Sequence, residues 1–265
     1  MPFAAWLLPA RERAGLPNER SMTPLLKTRH GWCIALGTVA LAGCNPTIVS
    51  IDRQTGVPLA KLMMADQTIS SVALLGPDTV TVVHGDKPGI RVAGDPKVAD
   101  ALRFVLTDGK LGISRKTGAT FGDGIATITV TTPAVDHLIM AGSGKITSDR
   151  LSGKAVEVTI GGSGQVKVDA ITAEKPDVEV AGSGLITGSG HTGKLALTIA
   201  GTGTADMARL NAGETQISLA GTGGGSLASD GHVTGAVIGT GVVTVHGKAH
   251  CDVSVTGTGK VNCTP

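Results

Sequence analysis

The chain has 265 residues, of which 41% are apolar but only 2% aromatic, with 39 glycines and no tyrosine. Its 23 basic and 21 acidic residues give a formal charge of +2; five of the basic and two of the acidic residues fall within 1–44, leaving 18 against 19. A near-neutral body whose only aromatics are Phe104 and Phe121 has neither the basic stripe nor the stacking platforms that nucleic acids require, and it lacks the rings on which sugars usually stack.

Residues 31–43, "GWCIALGTVALAG", form an apolar run preceded by Lys27, Arg29 and His30 and closed by Cys44. The run is too short to span a bilayer comfortably, and a basic flank, an apolar core and a small-residue exit describe a secretory signal. The exit "LAGC", Leu41 to Cys44, resembles a bacterial lipobox, which implies cleavage before Cys44 and a diacylglycerol on its thiol. Met22 gives this signal conventional proportions. The expected organisation is therefore an upstream extension over 1–21 that is not part of the protein, a lipoprotein signal peptide over 22–43 and a lipidated tether over 44–65. The apolar piece "VPLAKLMM" of the tether has the alternative of docking on the domain end. Acyl chains contribute about 0.8 kcal/mol per buried methylene, so the anchor holds the protein on a membrane face. Asn45 after the cysteine leans toward the outer membrane over other surfaces of a Gram-negative envelope.

Strand signals begin near Ile69 with "TISSVALLG", "TVTVVHG", "GIRVAGD", "KLGISRK" and "ATITVTTP". All are short, rich in Val, Ile and Thr, and separated by Gly, Asp and Pro. One short helix is predicted over 96–106, "PKVADALRFVL", with Asp95 as N-cap and Pro96 in the first turn.

From residue 139 onward one phrase repeats. The tripeptide Gly-Ser/Thr-Gly occurs seven times, as Gly142 and Gly144, Gly162 and Gly164, Gly182 and Gly184, Gly201 and Gly203, Gly221 and Gly223, Gly239 and Gly241, and Gly257 and Gly259. The first glycines are spaced by about 18 to 20 residues, the length of one solenoid coil. Two positions before each marker stand Met140, Ile160, Val180, Ile199, Leu219, Val237 and Val255; four after stand Ile146, Val166, Ile186, Ala205, Gly225, Val243 and Val261. A period of two along the strand, combined with the coil-length period between strands, stacks these apolar side chains into one interior. Intervening residues such as Glu157, Glu179, Thr198 and Ser218 are expected to face water. The fold class that follows is all-β, a parallel β-helix with coils of about 18 to 20 residues, in which no coil is stable alone.

A phosphate-cradling role for the glycines would need a helix after the loop, and a strand follows instead. Their expected role is structural, at the corners. A threonine ladder for ice would need two regular ranks per coil, and the first three corners carry serine.

The column pattern, the recurring "GSG", the lead-in "ATITVTTPAVDHLIMAGSGKI" and the upstream "VTVVHGDKPGIRVAGD" and "LRFVLTDGKLGISRK" resemble the putative auto-transporter adhesin, head GIN domain family over roughly 66–265. The resemblance implies a β-helical, secreted or lipid-anchored module, and it carries over no catalytic residues.

Cys251 and Cys263 lie six before and six after Gly257, both at inward positions of the last coil. An oxidising envelope makes them the expected disulfide, adding roughly 2 to 3 kcal/mol for so short a loop. Asp149, Arg150, Asp169, Asp206, Arg209 and Asp230 are scattered near corners and do not cluster as acid and base. His246 and His250 straddle a turn, so no metal or cofactor is expected. The reading is a non-enzymatic cell-envelope lipoprotein whose solenoid serves adhesion, interaction or structure. Its partners would be the membrane through the anchor, together with an envelope protein, a polysaccharide or a second copy of itself. The alternative is a carbohydrate-active enzyme, a lyase or hydrolase on a β-helix, which would reveal itself by a groove with clustered acids and a basic residue on adjacent coils.

Overall fold

The computed structural model describes residues 56–64, 67–116, 118 and 124–264. Cys44, the expected signal and most of the expected tether lie outside them. The chain enters the solenoid with β1 (Ser71–Leu75) and β2 (Thr79–His84), joined by the corner Gly76-Pro77-Asp78. It then forms β3 (Gly89–Ala93), α1 (Pro96–Ala101), β4 (Leu102–Thr107), β5 (Lys110–Arg115) and β6 (Thr127–Thr132). The regular coils begin with β7 (His137–Gly142) and β8 (Lys145–Ser148). They continue through β9 (Leu151–Gly162), β10 (Gln165–Gly182), β11 (Leu185–Gly201) and β12 (Thr204–Gly221), then β13 (Gly224–Ser229), β14 (His232–Gly239), β15 (Val242–His246), β16 (His250–Gly257) and β17 (Lys260–Thr264).

Every pairing among β7 to β17 is parallel and follows the glycine spacing: Leu138 pairs Val158, which pairs Val178, which pairs Leu197, which pairs Ile217. The side chains of that column are buried, as are Met140, Ile160, Val180, Ile199, Leu219 and Val237 in the next one. Chains of β-branched and leucine side chains stacked at the ~4.8 Å strand spacing thus form the interior.

A third short side completes the longer coils. Leu151 pairs Ile171, Ile171 pairs Gly190 and Gly190 pairs Leu210. After Gly221 this side contracts to Ala228 and Ser229. The interval from Gly221 to Gly239 is shorter than that from Gly201 to Gly221, so the shortened repeat is the missing part of one side.

The N-terminal end departs from the purely parallel expectation. β5 and β6 stack in parallel under β1 and β2, whereas β4 lies antiparallel on β5 and β3 antiparallel on β6. The chain therefore builds one coil with β1 and β2, drops beneath it to lay down another, and returns above it with β7 and β8. The helix is shorter than the predicted 96–106. Asp95 accepts a hydrogen bond from the Lys97 amide at 2.7 Å, and Val98 and Ala101 are buried. Leu102–Thr107 instead continues as strand, because Leu102 and Phe104 enter the core while pairing with β5. Residues 57–64 also close this end. Val57 bridges Phe104 through two backbone bonds of 2.8 and 2.9 Å, and Leu59, Leu62 and Met64 pack on the core. This part of the expected tether lies against the domain.

The repeated corner has two distinct glycine requirements. Gly162 has φ +127°, and a Cβ there would stand 2.6 Å from the Gly142 carbonyl oxygen. Its partner Gly164 is buried, and a Cβ on it would stand 2.8 Å from the Gly144 carbonyl oxygen and 2.7 Å from Met140 Cγ. The first glycine supplies a backbone conformation that L side chains avoid; the second lets the corner of one coil sit directly on the corner below.

An eighth corner, missed in the sequence, begins this stack. Gly76 (φ +152°) lies beneath Gly142, and the Gly144 amide donates to the Gly76 carbonyl at 2.9 Å. Asp78 takes the place of the inner glycine. Its buried carboxylate accepts a fork from Arg115, Nη2 at 2.6 Å and Nε at 2.9 Å, and the Ala126 amide at 2.9 Å. The exposures of the two side chains are 7% for Arg115 and 1% for Asp78. The geometry is the bidentate one in which a buried pair keeps its Coulomb gain.

At the other end Cys251 and Cys263 form the expected disulfide, with Cα atoms 6.7 Å apart. They continue the columns of Val233 and Val245, both fully buried. In the last coil, however, Cys251 is half-buried and Cys263 exposed. The inward position does not bury them because no described coil lies above.

Two substitutions test this packing. Gly182→Ala, which strains φ and meets the Gly162 carbonyl oxygen at 2.5 Å, is expected to cost about 3 kcal/mol; the exposed neighbour change Ser183→Ala should stay within about 0.5 kcal/mol. Asp78→Ala leaves Arg115 buried without its carboxylate and is expected to cost about 3 to 5 kcal/mol. Urea unfolding followed by circular dichroism measures both.

Candidate functional site

The outward side chains form ladders, since parallel in-register pairing stacks identical positions of successive coils. At the corners Ser143, Ser163, Ser183, Thr202, Thr222, Thr240 and Thr258 are all exposed, forming one hydroxyl column. The middle amide of these corners is already committed. Ser163, Ser183, Thr202, Thr222, Thr240 and Thr258 each donate to a glycine carbonyl of the coil below at 2.9 to 3.0 Å. A middle amide spent on the coil below is withdrawn from the row of N–H groups that a phosphate cradle needs.

On the face before the corner, His137, Glu157 and Asp177 are in register. His137 Nδ1 lies 2.6 Å from Asp136 Oδ1, and Nε2 lies 3.7 Å from Glu157 Oε2. Partial burial and then the neighbouring Glu157 charge push the Asp177 carboxyl above its usual range. Further along the same face, Lys194 and Glu214 pair at 2.9 Å, and this hydrogen bond and charge hold the exposed Glu214 below the usual carboxylate range.

The acids singled out in the sequence do not converge. Asp149 accepts the His84 amide at 2.8 Å, Asp169 pairs with Lys167 at 2.6 Å, and Asp206 accepts the Ser226 hydroxyl at 3.0 Å. Asp149 and Asp169 each follow one of the paired residues Ser148 and Val168, whereas Asp206 pairs with Thr187 in the column of Lys167. Asp230 is held low by the Lys248 amide and then by the Asn211 side chain. Arg150 accepts a bond on its backbone carbonyl from Ser148, and Arg209 is exposed. His246 and His250 are both exposed and belong to different strands; the ring beside His250 is His232 on the coil below, with centroids 5.8 Å apart. Among the described residues no three His, Cys, Asp or Glu side chains are grouped to hold a metal ion.

Two open surface grooves bear on the enzyme alternative. One, of about 440 Å³, is lined by Gly153, Thr172, Ala173, Glu174, His191, Thr192 and Gly193 on the third side. The other, of about 290 Å³, is lined by Lys194, Glu214, Thr215, Gln216, His232 and Thr234. Each contains one carboxylate. Glu214 is ion-paired, exposed and held acidic, the opposite of what a general acid needs. Asp177, whose carboxyl is raised, lines neither groove.

Solved structures share this architecture at low sequence identity. A protein of Bacteroides fragilis described as a putative adhesin is 17% identical, with a TM-score of 0.65 over 74% of this chain and 93% of its own. A Parabacteroides distasonis protein described as a putative lipid binding protein is 18% identical, with a TM-score of 0.61 over 75% and 94%. A putative adhesin of Parabacteroides merdae is 15% identical, with a TM-score of 0.57 over 74% and 92%. These likenesses establish the fold. No curated protein sequence matches the chain. The family model described as putative auto-transporter adhesin, head GIN domain matches residues 69–249, more than half of the sequence and all of the regular coils but the last, and the chain therefore belongs to that family.

Proposed function

We propose that the protein is a non-enzymatic lipoprotein of the bacterial cell envelope, anchored at Cys44, whose solenoid serves as an adhesion, interaction or structural module. The observation that carries this reading is the outer surface. Its polar side chains are arranged in continuous ladders, the middle amides of its corners are spent between coils, and each of the two grooves holds a single carboxylate. A rigid, periodic and near-neutral surface suits contact with an extended partner, a protein or a polysaccharide, through many weak polar contacts. Solved structures of the same fold described as a putative adhesin and as a putative lipid binding protein are consistent with an envelope setting. The short apolar run and its "LAGC" exit support the anchor.

Expression in a Gram-negative host tests the anchor. Mass spectrometry should find an acylated Cys44 at the N-terminus of membrane-fraction protein, and globomycin should accumulate the longer precursor; an unmodified Cys44 in the processed chain would rule the anchor out. Immobilised protein should capture an envelope protein or polysaccharide from extract, and the ladder changes Lys167→Glu with Glu179→Lys should reduce capture at least fivefold. Release of new reducing or unsaturated sugar ends from envelope polysaccharides would instead favour the enzyme.

A further inference from the structure

The two ends of the solenoid are not alike. At the N-terminal end β3, β4, α1 and residues 57–64 cover the core, and Val98, Ala101 and Phe104 are buried beneath or within that cover. At the C-terminal end the last described coil, β16 and β17, pairs only downward, with β14 and β15. Its inward columns are open. Val255 is 41% exposed where Val237, one coil below, is fully buried, and Val253 and Val261 are only half-buried.

The edge is also unpaired in its backbone. His250 and Thr258 direct their amides to the coil below, onto Gly231 and Gly239. The alternation of a parallel ladder therefore turns the amides of Val253 and Val255 outward. Whatever covers this rim must supply both strand pairing and apolar side chains. The Cys251–Cys263 disulfide ties the two sides of the rim together, so the coil is fixed in shape before any partner arrives.

We propose that the rim is the interface of a homodimer formed by two C-terminal coils meeting end to end. A second copy offers the same combination of open strand edge and exposed valines. Head-to-tail stacking would have to seat the rim on strands that run antiparallel to the coils, across α1 and residues 57–64, which cover the core at the N-terminal end. Rim-to-rim contact is isologous and stops at two. The charges permit it. The outward side chains beside the open columns include one acid, Asp252, and one base, Lys260, both exposed, so two rims do not repel and the two charges can pair reciprocally across a two-fold axis. The dimer also removes the edge-strand hazard that an open sheet carries.

Sedimentation velocity from 5 to 300 µM tests this on the full-length chain carrying Cys44→Ser, which removes any acyl-driven association. A concentration-dependent dimer is expected. Val255→Lys, at a position 41% exposed, should weaken it at least tenfold, with an unchanged circular dichroism spectrum. Asp252→Lys should also weaken it, and adding Lys260→Asp should restore it to within threefold. Met63→Lys, at the opposite end and 80% exposed, should leave it unaltered. The proposal is overturned by a monomer throughout, by a dimer indifferent to the rim changes, or by species that grow beyond two. A monomer that floats with phosphatidylethanolamine and phosphatidylglycerol vesicles and loses this with Val255→Lys would assign the rim to lipid and equally overturn it.

Discussion

The close approach of one corner to the next is the interaction on which the rest of this structure depends. At each corner from Ser163 to Thr258 the middle amide donates to a glycine carbonyl of the coil below, and a Cβ on the inner glycine would intrude on both that backbone and the core. Holding the corners in contact fixes the register of the two strands that leave them. Once register is fixed, inward positions stack on inward positions, and a continuous apolar interior follows from side chains as small as valine. Stability is accordingly a property of neighbouring coils, and a defect at one corner is felt by the coils on both sides.

The same constraint shapes the surface. Corner amides used between coils are withdrawn from ligands, so the glycine-rich loops are silent in the sense in which such loops elsewhere bind phosphate. What remains for recognition is the ladder of outward side chains and the two ends. One end is closed by a buried ion pair, a short helix and antiparallel strands; the other is left as an open coil tied by a disulfide.

Legibility in the sequence followed repetition closely. Seven corners, the inward columns and the disulfide pair could be read because each recurs at, or is placed by, a fixed spacing. The eighth corner could not, since Gly76-Pro77-Asp78 has lost the inner glycine and its meaning depends on Arg115, 37 residues away from Asp78. Leu102–Thr107 read as the end of a helix because its apolar residues fit that period too; pairing with β5 overrode local preference. Along the chain His250 stands nearest to His246, whereas the coil brings it to His232.

The sequence by itself determined the coil: its length, its corners and which side chains face inward, because a strand's period of two and a glycine corner recurring once per coil are local facts that stack without further instruction. Tertiary structure alone decided the order of coils at the N-terminal end, the partner of Asp78 and the exposure of Cys263 and Val255. Each of these depends on what lies above or below a residue in the stack, and at the ends of the solenoid the repeat no longer says what that is.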